Sequence, residues 1–460
     1  MGAILANRSF RSAILFSLGL CLCVVAARAQ TRTQANFAQR PYMGWSSWSR
    51  FHDQIDESLI KGQADALIAS RLPAAGYRYI NMDDGWSNGF DDQGIPMANP
   101  ATFPTGIKAL STYLHQRGLL FGIYLNPGIS EKLYKQNPRI AGTSSHIADI
   151  TDVSAPGSTR RQSYRIDFSK PAASTYIRSQ VKQFAGWGVD FVKMDFVGPG
   201  GGNIPADDRE EMRQWHLALS HASRPIWLEL SNWLSFDQAA LWRTTSNGWR
   251  IENDIECYEC DNATSVRKGN LTEWSKVAER FRDVVRWIPY AGPGGWNDLD
   301  TLELGNGDRD GLTPDERQSM FLLWSINCAP LYLGSDLTKM DADDLALITK
   351  KDIIAIDQAG VPARPLDIQH LRKKQQQVWM TQSKDGTVVF TFFNLDQNAS
   401  TVTIAWSEVD ALRNTHLAAG GKLHCTNLMD NASVTPDAAG LTVALTAHGS
   451  RILRVSPGDH

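Results

Sequence analysis

Between residues 41 and 360 short apolar runs alternate with helix-length amphipathic stretches, and few folds satisfy that rhythm. The runs fall at 43–46, 77–82, 119–125, 191–194, 226–230, 249–252, 288–291 and 331–334. Between them, segments such as 58–72, 172–187, 208–223 and 273–287 carry apolar residues at spacings of three and four, the period of a helix with one buried face. Repeated βα units build a parallel sheet, and eight of them close into a (β/α)8 TIM barrel, predicted here over residues 36–362. After Pro365 the texture changes to alternating runs at 378–381, 387–394, 400–406, 441–445 and 450–455, broken by polar turns such as Lys384-Asp385-Gly386. Period-two alternation with frequent turns predicts a C-terminal antiparallel β-sandwich over residues 366–457.

Charge narrows the partners. With 46 basic and 49 acidic residues the chain has no electrostatic footprint for nucleic acid or for an anionic membrane surface, so a neutral ligand is favoured. Fifteen tryptophans offer flat faces that suit sugar rings, although core packing is their commoner use. Arg8 and Arg11, the apolar stretch 13–27 and the small-residue site Ala27-Arg28-Ala29 predict a cleaved secretory signal over residues 1–29 and a secreted or periplasmic protein. The stretch falls short of the ~20 residues a membrane span needs. Beyond it the chain keeps Cys257, Cys260, Cys328 and Cys425. Cys257-Tyr-Glu-Cys260 lacks a second pair or a histidine cluster, which favours a local disulfide or two thiols over zinc.

The chemistry concentrates at strand ends. In Trp187-Gly-Val-Asp-Phe-Val-Lys-Met-Asp195, Lys193 and Asp195 lie two residues apart and so share a face, at the rim where parallel barrels build active sites. Asp83 and Asp84 follow the second run, Asp254 the sixth, and Asp298 and Asp300 close Gly294-Gly-Trp-Asn-Asp-Leu-Asp300. A single aspartate there is ordinarily a helix cap or turn. Four such places around one mouth repel one another unless they work on a ligand or pair with Lys193 and Arg250. Two carboxylates and a ring of hydrogen-bonding groups around a neutral ligand describe glycoside hydrolysis. Metal binding is the rival, but no EF-hand loop is present and Lys193 beside Asp195 repels a cation. The glycine-rich stretch 197–207 lacks the phosphate-loop pattern and reads as an active-site loop, so no cofactor or metal is called for.

Pro41-Tyr-Met-Gly-Trp-Ser-Ser-Trp48, Asp83-Asp-Gly-Trp86, Gly122-Ile-Tyr124, the Trp187 to Asp195 segment, Trp249-Arg-Ile-Glu-Asn-Asp-Ile255 and Ala291-Gly-Pro-Gly-Gly-Trp-Asn-Asp-Leu-Asp300 resemble, in that order, the motifs of glycoside hydrolase family 27, the α-galactosidases (melibiases) and α-N-acetylgalactosaminidases. The resemblance implies a retaining α-galactosidase acting on terminal α-D-galactosyl residues, with Asp195 as nucleophile and Asp254 as acid and base. It implies further that Asp83 and Asp84 accept hydrogen bonds from O4 and O6, that Trp48 forms an apolar wall, and that Lys193 and Tyr124 hold ring hydroxyls and nucleophile. Arg250 and Asp300 would lie near the 2-position. The alternatives are another glycone (β-L-arabinopyranose, α-N-acetylgalactosamine or an isomaltose-type glucoside) and a non-catalytic carbohydrate-binding protein. Two departures stand out. Gly85 and Val197 replace cysteines that pair around the pocket in family members, and Ser231-Asn-Trp233 stands where the family reads Cys-Glu-Trp, so Asn232 brings an uncharged amide to the 2-hydroxyl.

Overall fold

The computed structural model describes residues 37–157, 163–200, 206–260, 269–383, 387–417 and 423–457; the signal expected at 1–29 lies outside them. Eight parallel strands form the first sheet: β1 (Met43–Ser46), β2 (Tyr79–Asn81), β3 (Leu120–Leu125), β4 (Phe191–Met194), β5 (Trp227–Leu230), β6 (Gly248–Arg250), β7 (Trp296–Asp298) and β8 (Leu331–Leu333). They follow one another in chain order, β8 pairs with β1, and a parallel bridge between Leu302 and Leu333 joins the two ends, so the sheet closes on itself. A helix follows each strand: α1 (Glu57–Ala69), α2 (Ile107–His115), α3 (Pro171–Trp187), α4 (Arg209–Ser220), α5 (Ala239–Thr245), α6 (Trp274–Trp287), α7 (Pro314–Ile326) and α8 (Lys351–Gln358).

Local signals set the helix ends. Asp56 caps α1 by accepting from Leu59 N at 2.7 Å, and Pro171 opens α3, which Gly188 ends in the left-handed region. Thr313 and Glu316 form a reciprocal capping box on α7. One predicted strand is corrected. Residues 288–291 form a short 3-10 helix (Ile288–Tyr290) in which Pro289 withholds an amide, and the seventh strand is instead Trp296–Asp298.

Under the sheet, Tyr42 packs against the rings of Tyr79, Phe191, Trp227 and Tyr332 at 5.0–5.3 Å, plugging the end opposite the strand C-termini. Higher up the lumen turns polar. Glu229 fills space that only a glycine leaves, since a Cβ on Gly248 would come 2.0 Å from its Oε2. Trp45, Trp86 and Trp296 are buried, their indoles donating to the carbonyls of Ser335, Tyr124 and Ala38.

The C-terminal sheets are antiparallel: β9 (Gln376–Gln382), β10 (Val388–Asn394), β12 (Leu423–Asn427) and β14 (Ser450–Pro457) in one, and β11 (Ser400–Ala405) with β13 (Gly440–Leu445) in the other. They enclose an apolar core including Phe390, Phe392, Trp406 and Leu453. This part leans on α6 and α7: Phe393 meets Phe281 at 4.8 Å, His448 stacks on Trp274 at 4.5 Å and pairs with Glu316, and Ser319 donates to the His448 carbonyl.

Candidate active site

Register brings the first group together. Tyr124 on β3 pairs with Lys193 on β4, which pairs with Glu229 on β5, so three side chains share one layer of the lumen and Asp195 stands one step above. Tyr124 OH donates to Asp195 Oδ2 at 2.8 Å and accepts from Asn126 Nδ2 at 3.0 Å, which fixes the direction of the phenolic hydrogen. Burial, with the charge of Asp195, pushes the Tyr124 phenol well above its usual range, so it stays a donor. Lys193 Nζ sits 2.8 Å from Asp83 Oδ2, so its direct partner is Asp83 rather than Asp195. Burial works against the Lys193 charge, yet Asp83 and Asp195 outweigh it and hold the ammonium above its usual range. Asp83 in turn is raised by burial despite Lys193. Its backbone is set by Ser47, whose hydroxyl accepts from Asp83 N, and the amides of Asp84 and Gly85 close successive turns on the two carboxylates.

The second group lies beyond β6. Arg250, 2 % exposed, reaches Asp254 Oδ1 and Asp300 Oδ2, each at 2.7 Å. Tyr258 OH donates to Asp254 Oδ2 at 2.7 Å and accepts from Trp48 Nε1 at 2.9 Å. Burial raises the Asp254 carboxyl, but Arg250 and the Tyr258 hydrogen bond overcome it and hold the group down to about 2. Asp254 is therefore held as an anion, whereas a general acid must start protonated. Asp300 is enclosed: besides Arg250 it accepts from the amides of Ile255 and Thr301. Asn232 adopts φ 84° at the end of β5, and its buried Nδ2 has no hydrogen-bond partner among the described residues.

Several contributors escaped the sequence. Asn126, Ser47, Tyr258 and Glu256 are not strand-end carboxylates, and only tertiary contact reveals them. Glu256 is buried behind Asp254, accepts from Ser49 Oγ at 2.8 Å, and is pushed up to about 8 by burial and by Asp300 and Asp254. Asp254, Glu256 and Asp300 bring carboxylate oxygens close enough for a cation, but the Arg250 guanidinium already binds two of the three. Cys257 and Cys260 are joined to each other in a disulfide, and Cys328 and Cys425 are buried thiols. Beside Asp84 and Tyr124 lies a cavity of about 360 Å³ whose walls include Asn88, Phe90, Asn126 and Trp215.

A closed parallel barrel whose strand C-termini carry two separately held carboxylates among hydroxyl, amide and cationic groups is the site of a glycoside hydrolase. The family described as alpha galactosidase A matches residues 40–134 and 165–359, and its C-terminal β-sandwich domain matches 373–455. The chain belongs to this family, the α-galactosidases of glycoside hydrolase family 27. It is 33 % identical over 402 residues to alpha-galactosidase 2 of Arabidopsis thaliana, covering 86 % of each chain. It is 30 % identical to alpha-galactosidase A of Cellvibrio japonicus, covering 97 % of this chain and all of that one. Among solved structures, a β-L-arabinopyranosidase of the same family from Geobacillus stearothermophilus superposes with a TM-score of 0.80 at 27 % identity, over 92 % of this chain and 97 % of that one. Family membership makes a carbohydrate the substrate. Among the described residues no helix is long and apolar enough to cross a membrane.

Proposed function

We propose that the protein is a secreted, retaining α-galactosidase that removes terminal α-D-galactosyl residues by double displacement. Residues 1–29 serve as its leader, 36–362 as its catalytic unit and 366–457 as its accessory domain. The observation that carries this is the unequal setting of two rim carboxylates: among the described residues Asp195 accepts its side-chain hydrogen bond from a neutral phenol, with the Lys193 charge nearby, whereas Asp254 is bound directly by a cation and a phenol. Asp195 attacks the anomeric carbon and the bond to the leaving oxygen breaks, that oxygen taking the proton of Asp254. Asp254 then draws a proton from water, which attacks the same carbon and breaks the ester to Asp195.

The anionic resting state of Asp254 fits once substrate is considered. Its side chain is 45 % exposed, and a sugar covering it removes the water that favours the charge, which moves the carboxyl toward the acid form. Asp300 acts by holding Arg250, and Asn232, whose Nδ2 is buried, would meet the 2-hydroxyl only after its side chain turns toward the lumen. Galactose is favoured over arabinopyranose, which lacks the C6 hydroxymethyl group, because the cavity beside Asp84 gives that group room. The resemblance of the Geobacillus enzyme keeps the arabinopyranoside as the second reading.

The test is a panel of nitrophenyl glycosides with the first product followed by NMR. The α-galactoside should turn over fastest, ahead of the β-L-arabinopyranoside, the α-N-acetylgalactosaminide and the isomaltoside, and α-galactose should appear first. No turnover of the α-galactoside, or β-galactose as the first product, rules the proposal out.

A further inference from the structure

The segment Cys257-Tyr258-Glu259-Cys260 directly follows the strand-end loop that carries Asp254, and nothing in the chemistry above requires its disulfide. Asp254 presents one oxygen to Arg250 and the other to Tyr258. A guanidinium neither accepts nor gives up a proton at working pH, so the proton bound for the leaving oxygen sits on the Tyr258 side, at Oδ2. Trp48 Nε1 can only donate, which compels the phenol to point its own hydrogen at Asp254 whenever Oδ2 is charged. When Oδ2 takes a proton, the phenolic hydrogen is released to turn toward whatever lies in front of it.

What lies in front is accessible space. Tyr258 is 42 % exposed although its hydroxyl is tied to Asp254. Its ring sits edge-on to His52 at 6.2 Å, and His52 stacks on Trp48 at 4.9 Å, so three rings form one aromatic surface beside the carboxylate. Exposed aromatic faces with a hydroxyl at their edge suit a sugar ring, whose C–H face packs on the ring while its hydroxyls bond at the rim. The disulfide brackets the residue on both sides: Cys257 is buried with its amide on the Leu271 carbonyl at 2.8 Å, and Cys260 N returns to the Cys257 carbonyl.

We propose that Tyr258 positions the acid/base carboxylate and walls a leaving-group subsite for a sugar aglycone, held there by the Cys257–Cys260 clamp. This rests on Asp254 being the acid/base. The experiment compares melibiose, whose leaving group is glucose, with methyl α-galactoside in the full-length enzyme. Tyr258→Phe keeps the wall and loses the donor, so the alkaline limb of kcat, which tracks the protonated acid in the enzyme–substrate complex, should move up by about one pH unit while KM for melibiose stays near its original value. Tyr258→Ala loses both, and KM for melibiose should rise about tenfold with that for methyl α-galactoside changed far less. Opening the disulfide with dithiothreitol, checked by circular dichroism for retained fold, should reproduce the Ala profile.

The idea is overturned if both Tyr258 variants keep the original alkaline limb and the original ratio between the two substrates, a result that does not depend on whether the reduced enzyme folds. Azide rescue of Asp254→Ala tests the underlying assignment separately. In that variant azide attacks the glycosyl-Asp195 ester, the C–N bond forms as the ester C–O bond breaks, and α-galactosyl azide is released. Absence of that product overturns the acid/base assignment and this proposal together. Its presence with unmoved Tyr258 variants overturns the Tyr258 proposal alone.

Discussion

Two rim carboxylates are each approached by a tyrosine whose hydroxyl is oriented by an N–H donor: Asn126 to Tyr124 to Asp195, and Trp48 to Tyr258 to Asp254. The resemblance ends there. Tyr124 is a buried strand residue, whereas Tyr258 is exposed on a disulfide-bridged turn, and of the two carboxylates Asp254 is the one in a direct ion pair with a buried cation among the described residues. In the proposed scheme Asp195, as nucleophile, must keep one geometry and one charge, so its support belongs in the barrel wall. A group that alternates between acid and base needs partners that tolerate a change of charge and admit a departing sugar. The two relays show one hydrogen-bonding device set on a rigid and on an adjustable mount.

Removing the carboxylates separates the mounts most sharply. Asp195→Ala should cost about 10⁴-fold or more in kcat on every galactoside irrespective of leaving group, and added azide should yield β-galactosyl azide, the opposite anomer to that expected from Asp254→Ala. A loss that depended strongly on the leaving group would exchange the two roles. Arg250→Met comes next. It leaves Asp300 buried without its cation and should destabilise folding by about 3–5 kcal/mol in urea titrations, whereas the exposed side chain of Asp254 can rehydrate. A loss below about 1 kcal/mol would show that Arg250 does not hold the acid side together.

The smallest effect expected is on the pH dependence of stability. Burial raises Asp208 to about 7, Glu211 to about 8 and Glu256 to about 8. A carboxyl raised on folding binds more protons folded than unfolded, so its contribution is present below the unfolded value near 4 and is lost as pH rises through the folded one. Asp254 has the opposite sign. Its lowered value gives stability that is present above about 4 and lost as pH falls through about 2. The thermal midpoint should therefore decline by a few degrees between pH 5 and pH 9 in differential scanning calorimetry. A midpoint that rises over that interval contradicts the burial of these acids.

The barrel was legible because seven of its strands lie in largely apolar, mostly buried runs, and such runs announce themselves. The eighth hid for a physical reason: Trp296–Asp298 carries Asn297, which accepts from Trp249 Nε1, and Asp298, which accepts from Tyr332 OH, so its buried face is polar and lacks the apolar mark. The neighbouring apolar 288–291 attracted the assignment instead. In the sandwich, β12 was missed because Leu423–Asn427 mixes polar residues into a short alternation. At the site, aspartates ending strands stood out by position, but Tyr258 and Asn126 matter through contacts made after folding, and no spacing along the chain encodes which phenol meets which carboxylate.

Arg280 of α6 donates to the carbonyls of Asn253 and Leu299, gripping the backbone beside Asp254 and beside Asp300, and the same helix meets Phe393 and His448 of the C-terminal sheets through Phe281 and Trp274. The sandwich is thus placed as a buttress: one helix links its contacts to the backbone beside Asp254, the residue proposed as acid/base. Detaching it should be felt first as faster amide exchange around Asn253, before the barrel strands exchange.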